Sequence, residues 1–154
     1  MKLKKKIELG DLFELETSKG KAYLQFVKYP KDTSEVEKIK VFYSLFQEEP
    51  KSIEKMVVSE DYFYLDFPLK AAHKKNIVSF VGNVALDKEF SCPKYYRTEN
   101  PFGEGWHIVN SETWERESVE TLTEEQKKLS PWGVWNDTLL IEKLENNWRL
   151  YNWI

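Results

Sequence analysis

Short runs of β-branched and aromatic residues, separated by turn residues, dominate the first half of the chain. These runs cover residues 12–16, 22–27, 39–46, 62–67 and 77–81. Each has the length and composition of a β-strand. The first two are separated by a four-residue turn that ends in Gly20, a residue that adopts positive φ without steric cost, so they predict a β-hairpin. Five strands are therefore expected before residue 85.

Helix signals are short and few. Ser52 is a candidate N-cap for a helix over 53–57, and residues 68–75 are predicted to form a helical turn. Thr123 and Gln126 have the spacing of a capping box, which predicts a short helix that ends near Leu129.

The second half is less regular. Residues 86–105 contain two prolines and two glycines and are predicted to be a long loop. A hairpin is expected between 106–109 and 113–117, a turn at 136–137 and a last strand at 148–151. Together, these strand and helix signals predict an α+β domain over residues 1–154. Its one strongly bent, mainly antiparallel sheet is expected to begin as a partly open SH3-like barrel.

All six tryptophans lie between Trp106 and Trp153. A tryptophan buries about 150–250 Å² and carries one N–H that needs an acceptor, so such a cluster either closes a core or anchors a partner. We expect Trp132 and Trp135 to be core residues.

Composition excludes several classes of protein. Cys92 is the only cysteine, so an internal disulfide is impossible, and we expect it to be a small buried apolar residue. The basic start of the chain has no apolar segment behind it, and no apolar run approaches the roughly 20 residues of a membrane span. A cytoplasmic protein without membrane contact is expected.

The charge of the chain argues against general nucleic-acid binding. The net charge is -3, and residues 78–154 hold 8 basic against 13 acidic side chains. A phosphate backbone is bound by several neutralising cations. A nucleic-acid-associated module is the first alternative function, and it needs the following lysines on one face: Lys4, Lys5, Lys6, Lys38, Lys40, Lys74 and Lys75.

Catalytic and cofactor motifs are absent. The sequence contains no nucleophile elbow, P-loop, dinucleotide fingerprint or zinc-ligand spacing, so no catalytic residue, metal or cofactor is assigned. His107 with an acid such as Glu104 is the second alternative, a small hydrolase with a general-base pair.

Acidic residues cluster around one tryptophan. Alternating acids on a strand would form an acidic stripe beside an aromatic ring, which suits a basic protein partner, although the same alternation is usual on a solvent-exposed sheet face. The predicted partner-binding residues are Glu112, Trp114, Glu115, Glu117 and Glu120.

Four segments carry a family resemblance. They are residues 10–15, 20–23, 81–83 and 135–142. The chain resembles small bacterial proteins of the Imm26-like group, immunity proteins of polymorphic toxin systems. That group has Trp-x-Gly and Tyr-x-x-x-Cys motifs, whereas here Gly133 directly follows Trp132 and Lys88 lies four residues before Cys92. The resemblance implies an α+β protein without catalytic activity that neutralises a toxin, in this case one with a basic surface, by direct binding.

Overall fold

A five-stranded antiparallel sheet forms the first half of the protein. The computed structural model describes residues 6–154. The strands are β1 (Asp11–Thr17), β2 (Gly20–Lys28), β3 (Lys38–Phe46), β4 (Tyr62–Asp66) and β5 (Val78–Asn83), in the order β4-β3-β2-β1-β5. The five strands expected before residue 85 are confirmed. Because β4 and β5 are both edge strands, the sheet is not closed into a barrel.

A second, three-stranded sheet follows. Its strands are β6 (Tyr95–Glu99), β7 (Trp106–Asn110) and β8 (Arg116–Val119), in the order β6-β7-β8 with antiparallel pairing. The α+β class is confirmed, but the strands belong to two sheets rather than one. The prediction of a continuous loop over 86–105 was wrong, because β6 is a short strand whose flanking Pro and Gly residues obscured it.

Helices are short and mostly side-chain-capped. They are α1 (Ile53–Val57), α2 (Leu69–Lys74) and α3 (Asp137–Glu145), with 3₁₀ turns at Gln126–Lys128 and Leu150–Asn152. The Ser52 hydroxyl accepts a hydrogen bond from the Lys55 amide at 3.3 Å, and the capping box of Thr123 and Gln126 forms in both directions.

Two predictions in the last 20 residues were wrong. Residues 136–137 begin α3 instead of a turn, because the Asn136 side chain accepts from the Leu139 amide at 2.8 Å and acts as the N-cap. Leu140 and Leu144 then bury the same face one turn apart. Residues 148–151 do not form a strand, since the chain there enters the 3₁₀ turn at Leu150.

The main core lies on one face of the five-stranded sheet. Fully buried side chains of its strands, among them Phe13, Leu24 and Phe63, pack against apolar residues of α2 and α3. Trp135 and Trp148 are half-buried at its margin, with ring centroids 5.7 and 5.0 Å from that of Phe63. The opposite face of the sheet holds a smaller apolar cluster of Leu12, Tyr23, Phe42 and Met56.

Residues 130–135 connect the two sheets. On one side the Arg97 amide of β6 donates to the Ser130 carbonyl at 3.0 Å, and the Trp132 amide donates to the Arg97 carbonyl at 2.7 Å. On the other side the Trp135 amide donates to the Asp66 carbonyl of β4 at 3.2 Å. The three-stranded sheet, with its β7–β8 hairpin, is thereby held in a defined position beside β4.

Candidate functional site

The predicted partner-binding residues lie on and beside the β7–β8 hairpin. Its loop, residues 111–115, folds around Asn110, whose side-chain oxygen accepts from the Glu112 amide at 2.9 Å. The Trp114 amide donates to the Asn110 carbonyl at 2.7 Å, and the Asn110 amide donates to the Glu115 carbonyl at 2.9 Å. The loop is therefore ordered by its own hydrogen bonds. The hairpin was predicted correctly, although β8 begins three residues later than expected.

Trp114 has an unusual backbone conformation. Its φ is 65°, in the left-handed region that a bulky side chain rarely adopts and that costs of order 1–3 kcal/mol. The ring packs edge-on against Trp132 with centroids 6.2 Å apart, yet 56% of the residue remains exposed. Strained residues are concentrated at binding and active sites. Trp114 thus presents a large aromatic surface in a fixed position.

Trp114 lines a cleft of about 260 Å³ between the hairpin and the loop that joins β2 to β3. Trp132 contributes a second wall, and the exposed side chains of Tyr29 and Val134 add apolar surface. Lys38 and Asp66, also in the lining, form an ion pair at 2.8 Å. The cleft is therefore mainly apolar, and its other charged lining residues are Lys28, Arg116 and Glu35.

The structure separates the four glutamates into smaller groups. Glu115 and Glu117 are two residues apart and lie on the same side of the hairpin as Ile108, because side chains alternate along a strand. Glu120 directly follows the end of β8, and Glu112 lies in the loop, 3.9 Å from Lys94. All four are exposed. The predicted stripe thus reduces to Glu115 and Glu117, with Glu120 and Glu112 at its two ends.

The position of His107 does not fit the hydrolase hypothesis. The residue is buried on the opposite side of the hairpin, and its Nδ1 lies 3.2 Å from Arg116 Nη1. Because a guanidinium only donates, Nδ1 acts as the acceptor. Glu104 is an exposed loop residue and is not bonded to this ring. His107 also lies outside the lining of the Trp114 cleft. The partner of its ring is Arg116, so the general-base pair with Glu104 does not form.

The lysines of the nucleic-acid alternative are dispersed. Lys38 is buried and paired with Asp66, and the Lys40 amine lies 4.2 Å from the Tyr62 ring centroid. Lys74 and Lys75 are at the end of α2, near the other edge of the sheet, and Lys6 precedes β1. Lys4 and Lys5 lie outside the described residues. Those that are described do not form one basic face.

Cys92 is half-buried in the segment before β6. Burial raises the pKa of its thiol, which lowers the fraction of reactive thiolate at neutral pH.

Residues 6–154 contain no group of three or more His, Cys, Asp or Glu side chains that could hold a metal ion.

A larger cleft of about 610 Å³ lies along β4 and was not anticipated from the sequence. Tyrosines from three parts of the chain, Tyr62, Tyr95 and Tyr151, contribute to its wall. Its charges largely neutralise each other, since Arg149 is 3.5 Å from Asp61 and Lys127 is 3.0 Å from Glu124. It therefore has less electrostatic preference for a partner than the acidic hairpin does.

Arg97, in the second sheet, is a buried charged residue that sequence reasoning did not identify. Its side chain is fully buried and donates to the carbonyls of Lys127, Leu129, Leu150 and Trp153. The sequence signal was weak, namely one cation in a run of aromatic residues. Its role is to hold the last residues of the chain against β6, which also orders Trp106 and Trp153.

Within the described part of the chain, none of the helices is long and apolar enough to cross a lipid bilayer. Comparisons with models of known protein families, with curated proteins and with solved structures found no match to this chain.

Proposed function

We propose that this chain is a non-catalytic binding protein, of the kind that immunity proteins represent, and that it neutralises a basic protein partner in the cytoplasm. The contact surface is the acidic hairpin, which we define as Glu112, Trp114, Glu115, Glu117 and Glu120. The observation that carries the proposal is the exposed but conformationally fixed ring of Trp114, in a hairpin whose neighbouring residues Glu112, Glu115 and Glu117 are exposed.

The aromatic part of this surface suits protein binding. Tryptophan is enriched among the few interface residues that contribute most of the binding energy. Trp114 is held by its backbone conformation and by Trp132, so little side-chain entropy is lost when a partner covers it. The adjacent cleft offers a place for an apolar side chain of the partner.

The charged part supplies preference for a basic partner. Among the described residues, no cation forms a salt bridge with Glu115, Glu117 or Glu120, so their charges remain available to a partner. Complementary charge mainly raises the association rate and excludes wrong partners. A toxin domain with a basic active-site region would be blocked by such a surface.

The test is an affinity capture from lysate of the source cells, with mass spectrometry and a salt series. The expected result is one stoichiometric basic protein whose capture weakens as salt rises. Reversal of Glu115, Glu117 and Glu120 to Lys should abolish capture. The matched control reverses three exposed glutamates outside the hairpin, Glu48, Glu49 and Glu89, and should capture normally.

Trp114→Gly tests the aromatic contact separately. Glycine adopts a φ of 65° without strain, so the fold should be retained while the ring is lost. We expect the affinity for the captured protein to fall by at least about tenfold. Capture that survives both this variant and the charge reversal would refute the proposal, and recovery of nucleic acid alone would favour the nucleic-acid alternative.

A further inference from the structure

The outer edge of β8 is an unpaired strand edge. Within residues 6–154, β8 is the last strand of its sheet and pairs only with β7. The Asn110 amide bonds to the Glu115 carbonyl, and in an antiparallel pair the bonded positions alternate, so residues 115, 117 and 119 direct their backbone groups toward β7. Arg116 and Ser118 consequently direct their N–H and C=O groups outward, and no other part of residues 6–154 pairs with them.

The side chains along this edge make it selective. Edges are commonly protected from self-pairing by charged side chains, and here Glu115 directly precedes β8 and Glu117 lies within it. Two copies of the strand placed side by side would bring like charges together, which disfavours self-pairing. A strand with cations at alternate positions would instead place them beside both glutamates.

We propose that β8 binds an extended basic segment of the protein partner as an added strand, with lysine or arginine at alternate positions. This inference rests on the proposed function and specifies how the acidic hairpin is used. Main-chain hydrogen bonds to Arg116 and Ser118 supply affinity, and Glu115 and Glu117 supply selectivity. Trp114, which directly precedes this edge, contacts the segment where it leaves β8.

The experiment uses the full chain and a blocked peptide that alternates lysine and valine. Amide hydrogen exchange is measured residue by residue, with the glutamate–valine counterpart as the control peptide. The basic peptide should slow exchange of the Arg116 and Ser118 amides by at least about tenfold, and the acidic peptide should not. Failure of the basic peptide to bind, or binding that leaves these two amides unprotected, overturns the proposal.

Ser118→Pro provides a second test. Proline removes an outward N–H without loss of a β7–β8 hydrogen bond, so the fold should be retained, which a thermal melt checks. Binding of the peptide should fall by at least about tenfold. Ser118→Ala retains the N–H and should bind like the parent chain. Should Ser118→Pro not fold, the exchange measurement on the unmodified chain decides.

The outcomes separate the two proposals. Peptide binding that is lost on reversal of Glu115 and Glu117 but is unaffected by Ser118→Pro would refute strand addition and leave the acidic surface in place. A captured cellular protein that is insensitive to the charge reversal would refute the proposed function itself.

Discussion

The guanidinium of Arg97 stacks on the indole of Trp153, with its central carbon 4.4 Å from the ring centroid, and donates a hydrogen bond to the carbonyl of the same residue. The same side chain reaches the carbonyls of Lys127 at 2.8 Å and Leu150 at 2.7 Å. Within residues 6–154 it forms no ion pair with a carboxylate. A buried cation is thus stabilised by carbonyl dipoles and aromatic faces, and it connects β6 to two distant segments.

Replacement of Arg97 by Lys should lower the free energy of unfolding by about 3–5 kcal/mol, the range for disruption of a buried charged network. One ammonium cannot reproduce a planar fork that reaches four carbonyls. Urea unfolding measures the change. Arg149→Lys is the control, because Arg149 pairs with the exposed Asp61 at 3.5 Å and should cost less than about 1 kcal/mol. Equal effects would contradict this role for Arg97.

Stability should decline at alkaline pH. Burial raises the pKa of Tyr43 to about 12 and also raises the pKa values of Tyr23, Tyr64 and Tyr96. The unfolded chain ionises its tyrosines near pH 10, so their stabilisation is complete below pH 10 and is lost as the pH rises toward 12 and beyond.

Arg97 acts in the opposite direction over part of this range. Burial lowers its pKa to about 10, so the penalty for its charge is relieved above that pH. Because four tyrosines oppose one arginine, the net result should be a melting temperature that falls as the pH rises from 10 toward 12. A phenolate absorbance titration is the second measurement. Ionisation of all the tyrosines near pH 10 in the folded protein would contradict the prediction.

Tyr96→Phe should leave stability unchanged or raise it by up to about 1 kcal/mol. The Tyr96 hydroxyl is buried and has no hydrogen-bond partner, so its removal eliminates a desolvation cost. The ring that packs 4.1 Å from the Lys38 amine is retained. Tyr43→Phe is the contrasting variant, because the Tyr43 hydroxyl accepts from the Leu150 amide at 3.2 Å and its loss should cost about 1 kcal/mol. Chemical denaturation measures the free energy of unfolding of both variants. A larger loss for Tyr96→Phe than for Tyr43→Phe would contradict the hydrogen bonding described for the two hydroxyls.

Trp135→Ala should cost about 2–3 kcal/mol, somewhat below the 3–5 kcal/mol typical of a fully buried aromatic residue. The ring is half-buried against the main core, 5.7 Å from Phe63 and 5.2 Å from Trp148. Thermal and urea unfolding measure the loss. Trp114→Gly, which removes an exposed ring and relieves backbone strain, should not destabilise the fold. A negligible effect of Trp135→Ala would assign that ring to an interface instead.

Local signals predicted those elements that form from their own residues. The turn at Gly20 is one example, with a φ of 138° in the β1–β2 hairpin, and the Ser52 cap of α1 is another. The prediction at Asn136 failed because an asparagine side chain that bonds nearby amides serves equally well in a turn and at an N-cap. Only the burial of Leu140 and Leu144 by the distant sheet favours the helix.

The candidate site was predicted in composition but not in geometry. The pattern around Trp114 identified an acidic, aromatic surface, whereas the contact of the Trp114 ring with Trp132 depends on a residue 18 positions later in the sequence. The separation of Glu112 from Glu115 and Glu117 likewise depends on where the hairpin turns.

By itself the sequence determined the α+β class, the five strands before residue 85 and the absence of recognised catalytic motifs, because these follow from local periodicity, turn chemistry and residue types. The tertiary structure alone decided that the strands form two sheets and that Arg97 is buried against residues 30 or more positions away. It also decided that the outer edge of β8 is unpaired among the described residues. Such features depend on contacts between segments that are distant in sequence, and no local pattern encodes them.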